Sequence, residues 1–268
     1  MLANSIVIAG GIKGLGFEIG KHFLLNSELY LCIIDKELDQ ENEEFLKINF
    51  PGRFSLFNCD LAVITETEAV AAQINTRYHP VILVNNLGPR SNIGMMEETG
   101  MVFTQLLETI VTSNFLLSRA FLQNAKDKSI DRFRIVNIGS VLGDLVGPQS
   151  PGYHVAKGAL QSLTRYFSIQ GKSYVSDLSV ILLQIGFIVQ NHHRERYDAP
   201  NNLDFRNIIS QYQGSSYVFS SEDVASSLFA LSMSESASLI NGNVINLDYG
   251  CKNKEQLDSL FSLQNYDD

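Results

Sequence analysis

Tyr153 and Lys157 stand four residues apart in Tyr153-His154-Val155-Ala156-Lys157, and Ser140 stands thirteen residues before the tyrosine in Asn137-Ile138-Gly139-Ser140. On a helix, positions i and i+4 share a face, so the phenol and the ammonium can converge. These groups suit the interconversion of an alcohol and a ketone. Removing hydride from carbon requires a base for the hydroxyl proton, and the reverse reaction requires the matching acid. A phenol, with a pKa of about 10, is a poor base at neutral pH; a nearby cation favours phenolate, and a shift of about 3 units takes roughly 4 kcal/mol. Lys157 is expected to supply part of that shift. The Ser140 hydroxyl can hold the substrate oxygen and spread the charge that develops on it.

A second constellation opens the chain, where an apolar run leads into Ala9-Gly10-Gly11-Ile12-Lys13-Gly14-Leu15-Gly16. Glycines let a backbone turn sharply and let a pyrophosphate approach closely, while the free N–H groups of a helix start face the anion. The spacing of Gly10, Gly14 and Gly16 is GxxxGxG rather than the GxGxxG dinucleotide fingerprint, and alone it fits a ligand-free turn as well. Asp35, nineteen residues after Gly16, adds weight, because a carboxylate there can accept hydrogen bonds from an adenosine ribose. It would also repel a 2′-phosphate, which favours NAD over NADP; Lys13 and Lys36 argue the other way. Asp60 either reaches an adenine amino group or caps a helix.

These groups need a scaffold, and the pattern supplies one. Continuously apolar, β-branched runs at 5–9, 29–34, 53–58, 81–86, 133–138, 178–185 and 243–248 read as strands buried on both faces. Helical spacing fills 15–26, 37–48, 65–77, 96–126 and 152–173, and a last helix comes after the capping signal Ser220-Ser221-Glu222-Asp223. Strands alternating with helices predict an α/β fold: a doubly wound, Rossmann-type, mostly parallel sheet of about seven strands with helices on both faces. The chain is expected to form one domain over residues 1–250, with 186–219 as a substrate lid beyond the sixth strand and 251–268 as a C-terminal tail.

Composition narrows the function classes. The 268 residues are 45% hydrophobic and 18% charged, which excludes a disordered chain, and carry a formal net charge of −9. An acidic surface without a Lys/Arg cluster argues against nucleic acid as partner. No apolar run approaches the roughly 18 residues of a membrane span, and the N-terminal segment lacks the basic start of a secretory signal. Cys32, Cys59 and Cys251 form no CxxC pair, so neither a disulfide framework nor a metal site is expected, and a cytoplasmic setting fits best.

The motifs in this order resemble the short-chain dehydrogenase/reductases over nearly the whole chain. The resemblance implies NAD(P)-dependent oxidation or reduction at a CH–OH group. It assigns Gly10 to Gly16, with Gly11, Ile12 and Leu15 between, to the cofactor loop, Asp35 to the ribose, and Asp60 with Leu61 to the adenine. Asn86 and Gly88, in Asn85-Asn86-Leu87-Gly88, stand in the family's NNAG. Asn114, Ser140, Tyr153 and Lys157 match a catalytic tetrad in which the asparagine supports a proton relay. Gly186 and Ile188 would flank the nicotinamide, and Gly242 with Asp248-Tyr249-Gly250 would close the fold. Three departures stand out: Leu87 for alanine, Ile185-Gly186 for Pro-Gly, and Gln190 for threonine. The resemblance also implies a homo-oligomer, with Ala156, Leu160, Leu163, Thr164 and Phe167 as a compatible uncharged face.

Other residues have plainer readings. His154 points about 100° away from its catalytic neighbours and reads as a surface or interface histidine. His192 and His193 read as solvated lid residues rather than a metal pair, and Cys32 as core. Arg90, with Arg194 and Arg196, reads as surface charge or as a contact to an anionic substrate. Rival functions are an NADPH-dependent reductase of 3-oxoacyl thioesters and a dinucleotide-binding protein without turnover.

Overall fold

The computed structural model describes residues 2–189, 207 and 219–248. Its strands are β1 (Asn4–Ala9), β2 (Tyr30–Asp35), β3 (Phe54–Asn58), β4 (His79–Asn85), β5 (Arg132–Ile138), β6 (Asp177–Ile185), β7 (Ile188–Val189), β8 (Phe219–Ser220) and β9 (Val244–Leu247). Seven of them form a central parallel sheet in the order β3-β2-β1-β4-β5-β6-β9. A separate parallel pair joins β7 to β8. The expected fold class is the observed one.

Each strand of the sheet's centre is apolar throughout because both faces are covered. Ile6 and Ile8 pack on one side with Ile19 and Phe23 of α1 (Gly14–Asn26) and Leu228 of α7 (Ser221–Met233). Val7 and Ala9 face the other way, packing with Ile74 of α3 (Ile64–Arg77), Phe121 of α5 (Ser113–Asp127) and Phe167 of α6 (Pro151–Gln170). This alternation of inward faces is the period of two expected of a pleated strand. The chain leaves β1 toward β2 on one side and returns to β4 on the other, so a crevice opens above their carboxyl ends, where such sheets bind ligands.

Side-chain caps set the starts of three helices. The helix expected at 37–48 begins at Gln40 (α2, Gln40–Asn49), because Asp39 accepts the Asn42 N–H at 3.0 Å and ends the preceding turn. The one expected at 96–126 starts at Gly100 (α4, Gly100–Leu107), capped by Thr99, since Gly94 is paired with Gln149 in an isolated bridge instead. A π turn, Glu108–Thr112, then joins α4 to α5. The stretch expected at 152–173 is helical from Pro151 to Gln170 and tightens into a 3₁₀ turn at Gly171–Ser173. The capping box at Ser220 and Asp223 starts α7 as its sequence signal implied.

One sequence reading is corrected. The face of α6 named for subunit contact is largely interior: Ala156, Leu160, Thr164 and Phe167 are buried within the chain, while Val155, Tyr166 and Ile169 are exposed. The apolar stripe on this helix is the one that covers the sheet. The continuous helical run Gly100–Asp127 is, by length and composition, apolar enough to cross a membrane, although no uninterrupted apolar sequence runs through it. Its second half lays Leu117, Phe121, Leu122 and Ala125 into the core.

Candidate active site

A cleft of about 1130 Å³ lies over the carboxyl ends of the strands. Among the residues expected at a cofactor site, Gly10, Lys13, Gly14, Leu15, Asp35, Asp60 and Leu61 line one end. Asn86, Gly88, Ser140, Tyr153, Lys157, Gly186 and Ile188 line the rest. Gly11, Ile12, Gly16 and Asn114 do not line it and act from behind its wall. Gln190, Tyr249, Gly250, His192, His193, Arg194, Arg196, Cys251, most of the expected lid and the tail lie outside the described residues.

At the glycine end, the backbone sets the shape. Gly10 has φ +78° and Gly14 φ +57°, conformations a side chain resists. A Cβ at Gly16 would overlap the Gly10 carbonyl oxygen and stand 2.7 Å from Asn86 Nδ2. Asn86 Nδ2 donates to the Gly10 oxygen at 2.7 Å, tying the loop to the end of β4. α1 then begins without a side-chain cap and without an acidic residue in its first turn. Its free N–H groups and positive dipole end remain available to an anion, so this cradle fits a dinucleotide pyrophosphate. Ile12 is core: its side chain is buried, its N–H donates to Asp35 Oδ2 at 3.2 Å and its oxygen accepts from Asn42.

Charge at the rim is mostly negative. Asp35 is held by two backbone donors, Ile12 and Glu37. Lys13 is paired with Glu37, and that hydrogen bond raises the lysine's pKa and lowers the glutamate's. Lys36 lies 3.8 Å from Asp60, whose other oxygen accepts the Ala62 N–H in the turn before α3; Asp60 is not that helix's cap, since α3 begins after Val63 without a side-chain cap.

At the catalytic end, three elements converge. Lys157, 3% exposed, donates to the Leu87 oxygen at 2.9 Å and the Ile138 oxygen at 2.6 Å. Burial pushes its pKa down to about 7. Tyr153 is also buried; burial raises its pKa, against which a hydrogen bond from Ser140 and the charge of Arg90 pull it down. The walls that orient the two groups also desolvate both charged forms. The Ser140 oxygens are organised too: Oγ accepts the Leu142 N–H at 3.2 Å and the carbonyl accepts from Gln184 Nε2 at 3.0 Å.

Behind this end lies a buried amide chain. Asn85 Nδ2 donates to Asn114 Oδ1 at 2.8 Å and to Asn137 Oδ1 at 2.9 Å, and Asn137 Nδ2 donates to Thr164 Oγ1 at 2.8 Å. It fastens β4, β5, α5 and α6 to one another just below the catalytic groups. Asn85 and Asn137 are register partners on neighbouring strands, so two parallel runs that both carry asparagine near their ends were the sequence signal for this chain.

A model of the short chain dehydrogenase family matches residues 4–199. The chain belongs to the short-chain dehydrogenases. It is 21% identical over 249 residues to 2-dehydro-3-deoxy-D-gluconate 5-dehydrogenase of Formosa agariphila, covering 91% of this chain and 90% of that one. Among solved structures it resembles 4-hydroxyisoleucine dehydrogenase complexed with NADH, with TM-score 0.82 and 23% identity over 92% of this chain and 98% of that one. It likewise resembles L-sorbose reductase from Gluconobacter frateurii complexed with NADPH and L-sorbose, with TM-score 0.81 and 19% identity over 93% and 97%. These structural likenesses are of fold. As a short-chain dehydrogenase the chain is an oxidoreductase of CH–OH groups.

Two further residues of this short-chain dehydrogenase make contacts that the sequence did not show. His154 is half-buried and held by the chain: Nε2 accepts the Gly147 N–H at 2.8 Å, so Nδ1 carries the proton and donates to the Ser150 oxygen at 2.9 Å. The ring thus pins the loop after Ser140 to the start of α6. Arg90, weighed as surface charge, has its guanidinium carbon 5.5 Å from the centroid of the Tyr153 ring. Leu87, the departure from NNAG, packs against the cofactor loop and still presents its carbonyl to Lys157.

Proposed function

We propose that this short-chain dehydrogenase transfers hydride between NAD(H) and a secondary alcohol or ketone, with Tyr153 moving the proton. One observation carries the reading: Tyr153, Ser140 and Lys157 meet in a cleft that also contains the glycine cradle and Asp35. When bound, the dinucleotide supplies the acceptor or donor of hydride. The chain's own residues do the rest. Ser140 Oγ holds the substrate oxygen, and Tyr153 Oη takes the hydroxyl proton on oxidation and returns it on reduction. Lys157 spends two donors on carbonyls, leaving a third N–H for the cofactor ribose or the tyrosine. Asn114, fixed by Asn85, supports the relay that resupplies the proton.

NAD is the proposed coenzyme. A 2′-phosphate at the rim would meet Asp35 and Glu37, and the lysine best placed to offset them, Lys13, is committed to Glu37. The native protein is expected to favour NAD over NADP in kcat/KM by at least about tenfold, roughly 1.4 kcal/mol. Asp35→Ser should narrow that ratio by a similar factor. Steady-state kinetics with both coenzymes decides it, and native kcat/KM for NADP equal to or above that for NAD would overturn the preference.

A single domain over 1–250, a cytoplasmic setting and homo-oligomeric assembly belong to the same proposal. The exposed Val155, Tyr166 and Ile169 on α6 support the last. Sedimentation equilibrium is expected to give a multiple of the 29.8 kDa chain mass; a monomer at micromolar concentration would remove it.

A further inference from the structure

We infer that the substrate carries a carboxylate, a hydroxy acid or the corresponding oxo acid, and that Arg90 binds it. The inference rests on the proposed alcohol–ketone chemistry and names the class of molecule the site would take.

Charge in the cleft is divided. Its acidic lining, Asp35, Glu37 and Asp60, consists of the residues at the dinucleotide rim. Around Tyr153 the lining is neutral or apolar, as at Val102, Gln105, Leu142 and Val146, apart from the two cations Lys157 and Arg90. Lys157 is buried and spent on two carbonyls. Arg90 is exposed and forms no ion pair among the described residues. Glu98, the acid nearest in the fold to that loop's Ser91, is engaged elsewhere: one oxygen accepts from Ser91 and the other accepts the Gly152 N–H at 2.7 Å. A guanidinium with no ion-pair partner, held beside the proton-transferring phenol, presents the forked donor set that a carboxylate fits.

Its position is built. Ser150, wholly buried, holds φ +61°, and Asn92 holds φ +54°. Such conformations cost non-glycine residues about 1–3 kcal/mol and persist only where surroundings impose them. Here Ser150 Oγ accepts the Asn92 N–H at 2.8 Å, and the Ser150 N–H donates to the Ile93 oxygen at 2.8 Å. The loop carrying Arg90 is thereby stitched to the first turn of the helix carrying Tyr153. With the reacting oxygen on Ser140 and Tyr153, a carboxylate a few bonds from the carbinol carbon lies on Arg90.

The test uses the native protein and the variants Arg90→Gln and Arg90→Lys. NADH affinity is measured first by calorimetry. The NADH-loaded proteins are then titrated with propionate and succinate and with the neutral propionamide and succinamide. The native protein is expected to bind each carboxylate at least tenfold more tightly than its amide. Arg90→Gln should abolish that preference and Arg90→Lys keep part of it, with NADH affinity unchanged. In turnover of a panel of short hydroxy acids and their methyl esters with NAD, Arg90→Gln should raise KM for the acids tenfold or more and leave the esters unchanged. Equal binding of carboxylate and amide by the native protein, or a preference that survives in Arg90→Gln, would overturn the inference and leave the proposed function standing. A fall in kcat common to acids and esters with no selective rise in KM for the acids would likewise overturn it, because Arg90 would then act only through its charge beside Tyr153. Failure of the native protein to bind NADH would overturn the proposed function, and the inference with it.

Discussion

Tyr153→Phe is expected to lower kcat by about 10²–10⁴-fold, the usual worth of a positioned acid or base, while NADH affinity and Tm stay near native. The substitution removes one oxygen and leaves the ring. That ring is 9% exposed and packs with Ala156, Leu160 and Leu182, so its burial is unaffected. Arg90 still has an aromatic face beneath it. The structural loss is confined to the hydroxyl group itself, about 1 kcal/mol or less. Steady-state rates in both directions, set beside an NADH fluorescence titration, separate the two effects. A variant within threefold of native kcat would remove Tyr153 from the proton path.

Lys157→Met is expected to lower kcat at least tenfold and, independently of turnover, to change how stability depends on pH. In the folded protein the Lys157 pKa falls to about 7 from the ordinary 10.5 because the ammonium is buried. The unfolded chain therefore keeps this proton through the interval in which the folded chain has lost it. Stability attributable to the group rises as pH climbs from about 7 toward 10.5, and the penalty is fully present below 7. Over that window the native curve should gain on the Lys157→Met curve by up to roughly 5 kcal/mol, at about 1.4 kcal/mol per unit. The variant also leaves the Leu87 and Ile138 oxygens without this donor, a loss nearly constant with pH. Thermal unfolding of both proteins without coenzyme, at intervals from pH 6 to 10, reads the difference. Parallel curves would show that Lys157 titrates normally in the fold.

Much of the scaffold was legible because its physics is local. Strands covered on both faces must be apolar throughout, and β5 and β6 lie within one residue of where that pattern put them. The i, i+4 spacing of Tyr153 and Lys157 needed only a helix to bring them together, and α6 provides it. The hidden part depends on distant neighbours. Periodicity on α6 shows a stripe containing Ala156 and Leu160 without saying that it faces the sheet. The carbonyls that hold Lys157, those of Leu87 and Ile138, lie seventy and nineteen residues away. The stitching of Asn92 to Ser150 crosses 58 residues and leaves no local trace.

The π turn at Glu108–Thr112 has a consequence for how this helix is phased. An added residue in one turn offsets every later turn by about 100° around the axis. Leu106 ahead of it borders the cleft, whereas Asn114 behind it is delivered to the end of β4. Two obligations that a uniform screw would have locked to a single angle are thus set separately. The part of the helix that meets a ligand can change its composition while the part that serves the buried amides keeps its bearing.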